Sequence, residues 1–222
     1  MKEKFLSRAC LNIFNKVGEN DEVLLGIKKN KLYYEKLENL GNILITTQTG
    51  YGKTNILKNI ISTFIGDMSK EVVILEEKNI EFRNIEVENV KTYLGNEVEE
   101  GLNYIIKDLN KDKLEDKKSD KIIVIDDLSS NLREKDGVAQ KIETLLCTCN
   151  AVGWTVIMSS QSLIVNSETI INNFKTIIAA KTPIKEIAQI FPEKQQRLNP
   201  GEAFFKTESE FIRLSILYAK DI

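Results

Sequence analysis

Histidine is absent from the 222-residue sequence, and cysteine is scarce. Without histidine, serine–histidine and cysteine–histidine catalysis are both excluded. The three cysteines, Cys10, Cys147 and Cys149, fit a reducing compartment better than a disulfide framework. Because no histidine could complete a zinc site beside Cys147 and Cys149, the pair predicts small buried side chains on a helix.

Long apolar runs are also missing. No stretch of about 18 apolar residues exists, so no segment is predicted to span a membrane by itself. The charged N-terminus lacks the continuous apolar core of a secretory signal, and we therefore expect a cytoplasmic protein. Charges nearly cancel, with 31 Lys+Arg against 33 Asp+Glu, so any basic surface for nucleic acid must be local.

The chain, 42% hydrophobic, is long enough for one sizeable core, and no repeat or Pro/Gly-rich linker indicates a second domain. Residues 1–20 predict an N-terminal amphipathic helix, and residues 21–222 predict one α/β domain. The apolar positions of that helix repeat at helical spacing: Phe5, Leu6, Ala9, Cys10, Ile13 and Val17.

Short apolar strands alternate with amphipathic helices along the rest of the chain. Two strands around a turn at Lys29–Asn30 come first, and "GEAFFKTESEFIRLSILY" predicts a closing hairpin. Between them, the predicted strands are "NILITT", "EVVILEE", "KIIVIDD", "WTVIMSS" and "FKTIIAA", and the predicted helices are "KTNILKNIISTFI", "NEVEEGLNYIIKDLNKDKL" and "VAQKIETLLCTCNAVG". This order predicts a mainly parallel sheet covered on both faces.

The stretch "TTQTGYGKT" has the arrangement that a polyphosphate needs: a strand, a glycine turn, then Lys-Thr opening a helix. Lys53 is expected to reach the β- and γ-phosphates of ATP, and Thr54 to place its hydroxyl on Mg²⁺. The usual pattern begins with glycine, where this chain has Thr47, and we expect the change to be tolerated. A chance strand–turn–helix is the alternative. The predicted nucleotide-binding residues are Thr49, Gly50, Tyr51, Gly52, Lys53, Thr54 and Asn55.

A second motif, "KIIVIDDL", delivers two carboxylates at the end of a buried strand, which places them beside the phosphate loop. Asp126 is the predicted Mg²⁺ ligand, through a water molecule, and Asp127 the base that polarises the attacking water. Alternatively, Asp127 only caps the next turn. Aspartate is one methylene shorter than glutamate, which is compatible with slow turnover.

A third strand, "WTVIMSSQSL", also ends in polar groups. Gln161 there is predicted to sense the γ-phosphate by hydrogen-bonding it or the attacking water. A surface amide is the alternative for this residue.

The order and spacing of these motifs resemble the FtsK/HerA family of DNA-pumping ATPases, and most closely the FtsK/SpoIIIE motor domain. "VVILEEKNIEF" is similar to a family strand that usually ends in Asp-Pro-Lys, and here Glu76, Glu77 and Lys78 stand there. "NAVGWTVIMSSQSL", "NNFKTIIAAKT" and "LNPGEAFF" are similar to the segments that follow. The resemblance covers nearly the whole chain.

This resemblance implies a RecA-like core that assembles into a ring, usually a hexamer, with ATP between subunits and double-stranded DNA in the pore. The implied function is an ATP-driven translocase serving DNA transfer, segregation or packaging in a plasmid, mobile element or virus. A partner protein would recruit the DNA. Candidate pore loops are residues 81–89 and 129–137.

The family's trans-acting arginine has no clear counterpart, and Lys185, Arg133, Arg197 and Arg213 are the options. With Thr47 and Asp127, this departure leaves an alternative open: a nucleotide-binding switch or scaffold that hydrolyses little ATP. A small kinase is a third hypothesis. A kinase would need a lid over its substrate, but the sequence has no Arg-rich lid segment, and Gln161 at a strand end favours an NTPase.

Overall fold

The computed structural model describes residues 21–48, 50–65, 67–128, 137–160, 171–181, 198–207 and 210–217. The predicted helix at residues 1–20 lies outside these ranges and stays a prediction. Within them, no helix is long and apolar enough to cross a membrane.

Ten strands of the described residues form one sheet. In chain order they are β1 (Glu22–Lys28), β2 (Lys31–Lys36), β3 (Ile43–Thr46), β4 (Glu71–Glu76), β5 (Val90–Leu94), β6 (Lys121–Asp126), β7 (Thr155–Ser160), β8 (Thr176–Ala179), β9 (Glu202–Lys206) and β10 (Phe211–Ser215). Their spatial order is β2-β1-β10-β9-β8-β3-β7-β6-β4-β5.

The half of the sheet from β8 to β5 is parallel, and β9, β10, β1 and β2 add to it as antiparallel strands. The predicted closing hairpin is therefore confirmed as β9–β10. The turn between β1 and β2 lies at Lys29 and Asn30, whose φ angles of 49° and 63° suit a two-residue hairpin turn.

Helices cover both faces of the parallel half. They are α1 (Leu37–Leu40), α2 (Lys53–Ser62), α3 (Val98–Leu114) and α4 (Val138–Thr148), with short 3₁₀ turns at Gly95–Glu97 and Cys149–Val152. Buried side chains of α2 pack on one face, and those of α3 and α4 on the other. Neighbouring residues of one strand divide between the two cores, as Val72 and Val73 of β4 do.

The structure differs from the sequence predictions at two places, the pair Cys147 and Cys149 and the strand β5. Of this pair, Cys147 is exposed and Cys149 is buried, because Cys147 lies on the exposed side of α4 and Cys149 begins the 3₁₀ turn that follows the helix. Strand β5 was not predicted. Its residues are only half-buried, since β5 is an edge strand with a single partner, and this weakens the hydrophobic signal.

The parallel arrangement brings the carboxyl ends of several strands to one edge of the sheet. Strands β3, β4, β6 and β7 all end at the same edge of the sheet, and the predicted phosphate loop leaves β3 at that edge. In register, Glu76 is opposite Asp126, and Asp126 is opposite Ser159. Polar side chains from separate parts of the sequence therefore meet at one place.

Candidate nucleotide site

The loop between β3 and α2 has the backbone of an anion cradle. Gly50 and Gly52 have φ angles of 83° and 89°, in the left-handed region that favours glycine. Gly52 immediately precedes α2, no side chain caps this helix, and its first turn carries no acid. The first N–H groups of α2, at Lys53, Thr54 and Asn55, are therefore available to a phosphate.

Thr47 occupies the leading position of the loop without strain. It is fully buried, and its φ is not among the positive values of non-glycine residues. Its N–H donates to the carbonyl of Ser160 at 3.2 Å, and its hydroxyl donates to the carbonyl of Gln48 at 3.2 Å. Thr47 thus continues β3 beside β7, and this position does not require glycine in this chain.

The lysine of the loop lies against both acids. Lys53 Nζ is 2.7 Å from Asp127 Oδ2 and 3.6 Å from Asp126 Oδ1. All three side chains are largely buried, with 7–12% of their surface exposed. The structure therefore brings together the predicted phosphate-binding, metal-binding and base residues, as the order of motifs predicts.

Asp126 is the more enclosed of the two acids. It ends β6, and its Oδ1 accepts a hydrogen bond from the Ser159 hydroxyl of β7. Burial raises the pKa of the Asp126 carboxyl, against the opposing effects of Lys53 and Ser159. A divalent cation would stabilise the ionised form, which is what a metal-ligand role requires.

Asp127 follows β6 in a left-handed conformation, with φ 46°, and its N–H donates to the Ser159 carbonyl at 3.2 Å. This backbone turn directs its carboxylate to the phosphate loop. Asp127 Oδ2, which contacts Lys53, also accepts a hydrogen bond from Lys78 Nζ at 2.8 Å. Asp127 is therefore held between two ammonium groups.

Lys78 follows β4 in a loop that Glu76 anchors. The Glu76 carboxylate, 2% exposed, accepts the backbone N–H groups of Ile80, Glu81 and Phe82 at 2.9–3.2 Å. The sequence pattern by itself assigns no role to Glu76 and Lys78, and the signal that points to them is their place in the segment that resembles the family's Asp-Pro-Lys.

A lysine that follows β8 also contacts the loop between β3 and α2. Lys181 Nζ donates to the Tyr51 hydroxyl at 2.6 Å and lies 4.2 Å from the centre of its ring. The Lys181 carbonyl also accepts the N–H of Gln48 at 2.9 Å. Lys181 therefore fixes both sides of the loop, a contact that sequence spacing could not reveal.

Several predicted residues cannot be placed. Thr49 and Gln161 lie outside the described residues, as do three of the arginine-finger options, Lys185, Arg133 and Arg197. The fourth, Arg213, forms an ion pair with Glu202 across the closing hairpin.

The residues fit a magnesium–nucleotide complex. Among described residues, no group of three or more acids, cysteines or histidines could hold a metal by itself. Magnesium bound with ATP does not need such a cage, because phosphates and water supply most of its ligands. One hydroxyl from Thr54 and one carboxylate from Asp126, beside an uncapped helix start, meet this requirement.

No family model and no curated protein matches the sequence. Among solved structures, EssC (ATPases 2 and 3) from Geobacillus thermodenitrificans has a TM-score of 0.74 at 16% identity, covering 90% of this chain and 45% of that chain. The pCW3 conjugation coupling protein TcpA with ATPγS has a TM-score of 0.74 at 18% identity, and the match covers 93% of this chain and 69% of the TcpA chain.

A smaller neighbour is the genome packaging NTPase B204 from Sulfolobus turreted icosahedral virus 2, in complex with AMPPCP. Its TM-score is 0.56 at 11% identity, and the match covers 80% of this chain and 98% of B204. The chain thus spans under half of EssC but nearly the whole of B204.

The structural neighbours are P-loop ATPases of the FtsK/HerA type, so the resemblance seen in the sequence is confirmed at the level of the fold. At these identities, the fold is what the likeness establishes. The chain shares the RecA-like fold of these P-loop ATPase structures: a mainly parallel ten-stranded sheet with flanking helices and a closing hairpin.

Proposed function

We propose that this chain is an ATP-driven double-stranded DNA translocase motor that serves DNA transfer, segregation or packaging. The observation that carries the proposal is the meeting of Lys53 with Asp126 and Asp127 at the uncapped start of α2. A phosphate cradle, a metal carboxylate and a candidate base in one place are the parts that ATP hydrolysis needs.

Each residue has a distinct task in this proposal. The N–H groups of the loop and of the first turn of α2 bind the phosphates, with Thr49, Gly50, Tyr51 and Asn55 lining the cradle. Lys53 turns its ammonium from Asp127 to the β- and γ-phosphates. Thr54 and Asp126 hold Mg²⁺, which supplies charge stabilisation to the phosphates when bound.

Asp127 takes the proton of the attacking water, and Gln161 orients that water or senses the γ-phosphate. Because the Asp127 oxygen nearest the loop meets two lysines, proton acceptance requires at least one of these contacts to loosen. Hydrolysis is then expected to be slow in the isolated chain.

The DNA part of the proposal comes from the resemblance and from two neighbours, a conjugation coupling protein and a genome packaging NTPase. A homo-oligomeric ring, built of six copies as is usual in the resembled family, would enclose the duplex and contact mainly its phosphates. Such contacts are sequence-independent and salt-sensitive, and a local basic ring suffices for a nearly neutral chain. A protein partner would recruit the DNA.

The double pairing of Asp127 favours one other function, a nucleotide-binding switch or scaffold in a DNA-transfer or packaging assembly. In that case ATP would bind and change the site, with little hydrolysis. DNA would then leave the rate of turnover unchanged.

The test is the steady-state ATPase rate with and without linear double-stranded DNA, at low and moderate salt, beside Lys53→Ala. A motor is expected to show a salt-sensitive rise with DNA that Lys53→Ala abolishes. Nucleotide binding with a flat, negligible rate at ring-forming protein concentrations would reject the motor in favour of the switch. Transfer of phosphate to a small acceptor would reject both in favour of a kinase.

A further inference from the structure

Lys53 and Lys78 share one carboxylate oxygen. Asp127 Oδ2 is 2.7 Å from Lys53 Nζ and 2.8 Å from Lys78 Nζ, and the Asp127 side chain is only 10% exposed. The two lysines differ in setting: the Lys53 side chain is 12% exposed and begins a helix, whereas that of Lys78 is 54% exposed and lies in a loop.

The loop nevertheless holds Lys78 in place. The Glu76 carboxylate binds the backbone just beyond Lys78, at Ile80 to Phe82, and the Phe82 side chain is buried in the core. Farther along, the buried Asn89 side chain donates to the carbonyls of Phe64, Asp67 and Lys70. Lys78 is thus presented to Asp127 by a loop that is anchored at both ends.

These contacts bear on nucleotide binding. If Lys53 is to reach a phosphate, its 2.7 Å contact with Asp127 has to lengthen or break. An enclosed carboxylate that loses a neighbouring cation is destabilised, because part of the attraction that offset its desolvation is gone. A carboxylate that retains a second cation avoids most of that cost.

We propose that Lys78 is a positioning residue that keeps Asp127 partnered while Lys53 turns to the nucleotide. The inference rests on the proposed nucleotide site but not on DNA translocation. Without Lys78, Asp127 would retain Lys53 more strongly, and ATP would have to compete with that ion pair. The hydrogen bond to Asp127 also raises the pKa of Lys78, so this lysine is charged at neutral pH.

A double-mutant cycle tests this coupling. The dissociation constant of Mg·ATPγS is measured by calorimetry, without DNA, for the wild type, Lys78→Met, Asp127→Asn and the double variant. Lys78→Met is expected to weaken binding about tenfold in the wild-type background and less than about threefold when Asp127 is Asn. Lys78→Arg is expected to restore most of the affinity.

Arg83→Met is the matched control, because it removes an exposed cation of the same loop. It is expected to change affinity less than about twofold. Thermal unfolding of each variant shows that it is folded, and Asp127→Ala provides a second background if Asp127→Asn binds too weakly to measure.

Three results would overturn the inference. Equal weakening by Lys78→Met in both backgrounds would mean that Lys78 acts on the nucleotide directly or through general charge. Unchanged or tighter binding in Lys78→Met would mean that Lys53 is not released by Lys78. Failure of the wild type to bind Mg·ATPγS would overturn the proposed nucleotide site as well, whereas binding without coupling overturns only the role of Lys78.

Discussion

Glu76 and Asp126 lie opposite each other at the ends of β4 and β6, yet they have different surroundings. Glu76 accepts three backbone N–H groups of the following loop, whereas Asp126 accepts the Ser159 hydroxyl and lies near Lys53. One buried carboxylate therefore organises a loop, and its neighbour lies at the candidate nucleotide site.

Replacing Asp127 by Asn separates binding from hydrolysis. Asn keeps the shape but cannot act as the base, so we expect nucleotide binding to persist and turnover to fall by about 10²–10⁴-fold. ATPγS titration and steady-state phosphate release provide the two readouts. Wild-type turnover in this variant would show that the assignment of Asp127 as base is wrong.

The pH dependence of the unfolding free energy should show that Asp126 is a buried carboxylate with a raised pKa. Its pKa is raised in the folded state, so the folded protein binds that proton more tightly than the unfolded chain does. The protonated group carries no penalty at low pH. As the pH rises from the ordinary carboxyl value of 3.8 through the raised value, the ionised form in the fold costs stability.

Asp126→Asn, which cannot ionise, is therefore expected to stabilise the nucleotide-free protein near pH 7. A gain of about 1 kcal/mol, or about 2–4 °C in Tm, should shrink as the pH falls toward 4. Mg²⁺-dependent nucleotide binding should weaken in the same variant. If the difference in stability between Asp126→Asn and the wild type is constant from pH 4 to pH 7, Asp126 is not a buried ionised group.

Thr47→Gly tests whether the leading glycine of the usual loop is needed here. Thr47 is fully buried, and both its N–H and its hydroxyl donate hydrogen bonds. We expect a loss of about 1–3 kcal/mol in unfolding free energy and a change in ATPγS affinity below about threefold. Thr47→Ala separates side-chain loss from added backbone freedom. A large gain in affinity on Thr47→Gly would show that Thr47 distorts the loop.

Glu76→Gln tests the anchoring of the loop. An amide presents N–H groups where the backbone donors of residues 80–82 need oxygen, so a loss of about 1–3 kcal/mol is expected. Chemical denaturation measures this loss, and Glu86→Gln at an exposed position of the same loop is the control. Equal stability of the two variants would mean that the Glu76 contacts contribute little.

Much of the fold could be predicted from the sequence because its signals are local. Apolar runs such as "KIIVID" and "TVIMSS" indicate strands buried on both faces, and the 3.6-residue repeat of α3 indicates a covering helix. Strand β5 and the exposure of Cys147 escaped prediction because they depend on which neighbour is present, and neighbours are set by packing.

The sequence by itself determined the chemistry of the candidate site: a glycine turn before Lys53, two acids ending a buried strand, and the order in which they follow. Only the tertiary structure decided that Lys78 shares Asp127 with Lys53, that Lys181 holds Tyr51, and that Thr47 fits where glycine is usual. These relations join residues up to 130 positions apart. They arise because parallel strands bring their carboxyl ends to one edge of the sheet, which no local pattern encodes.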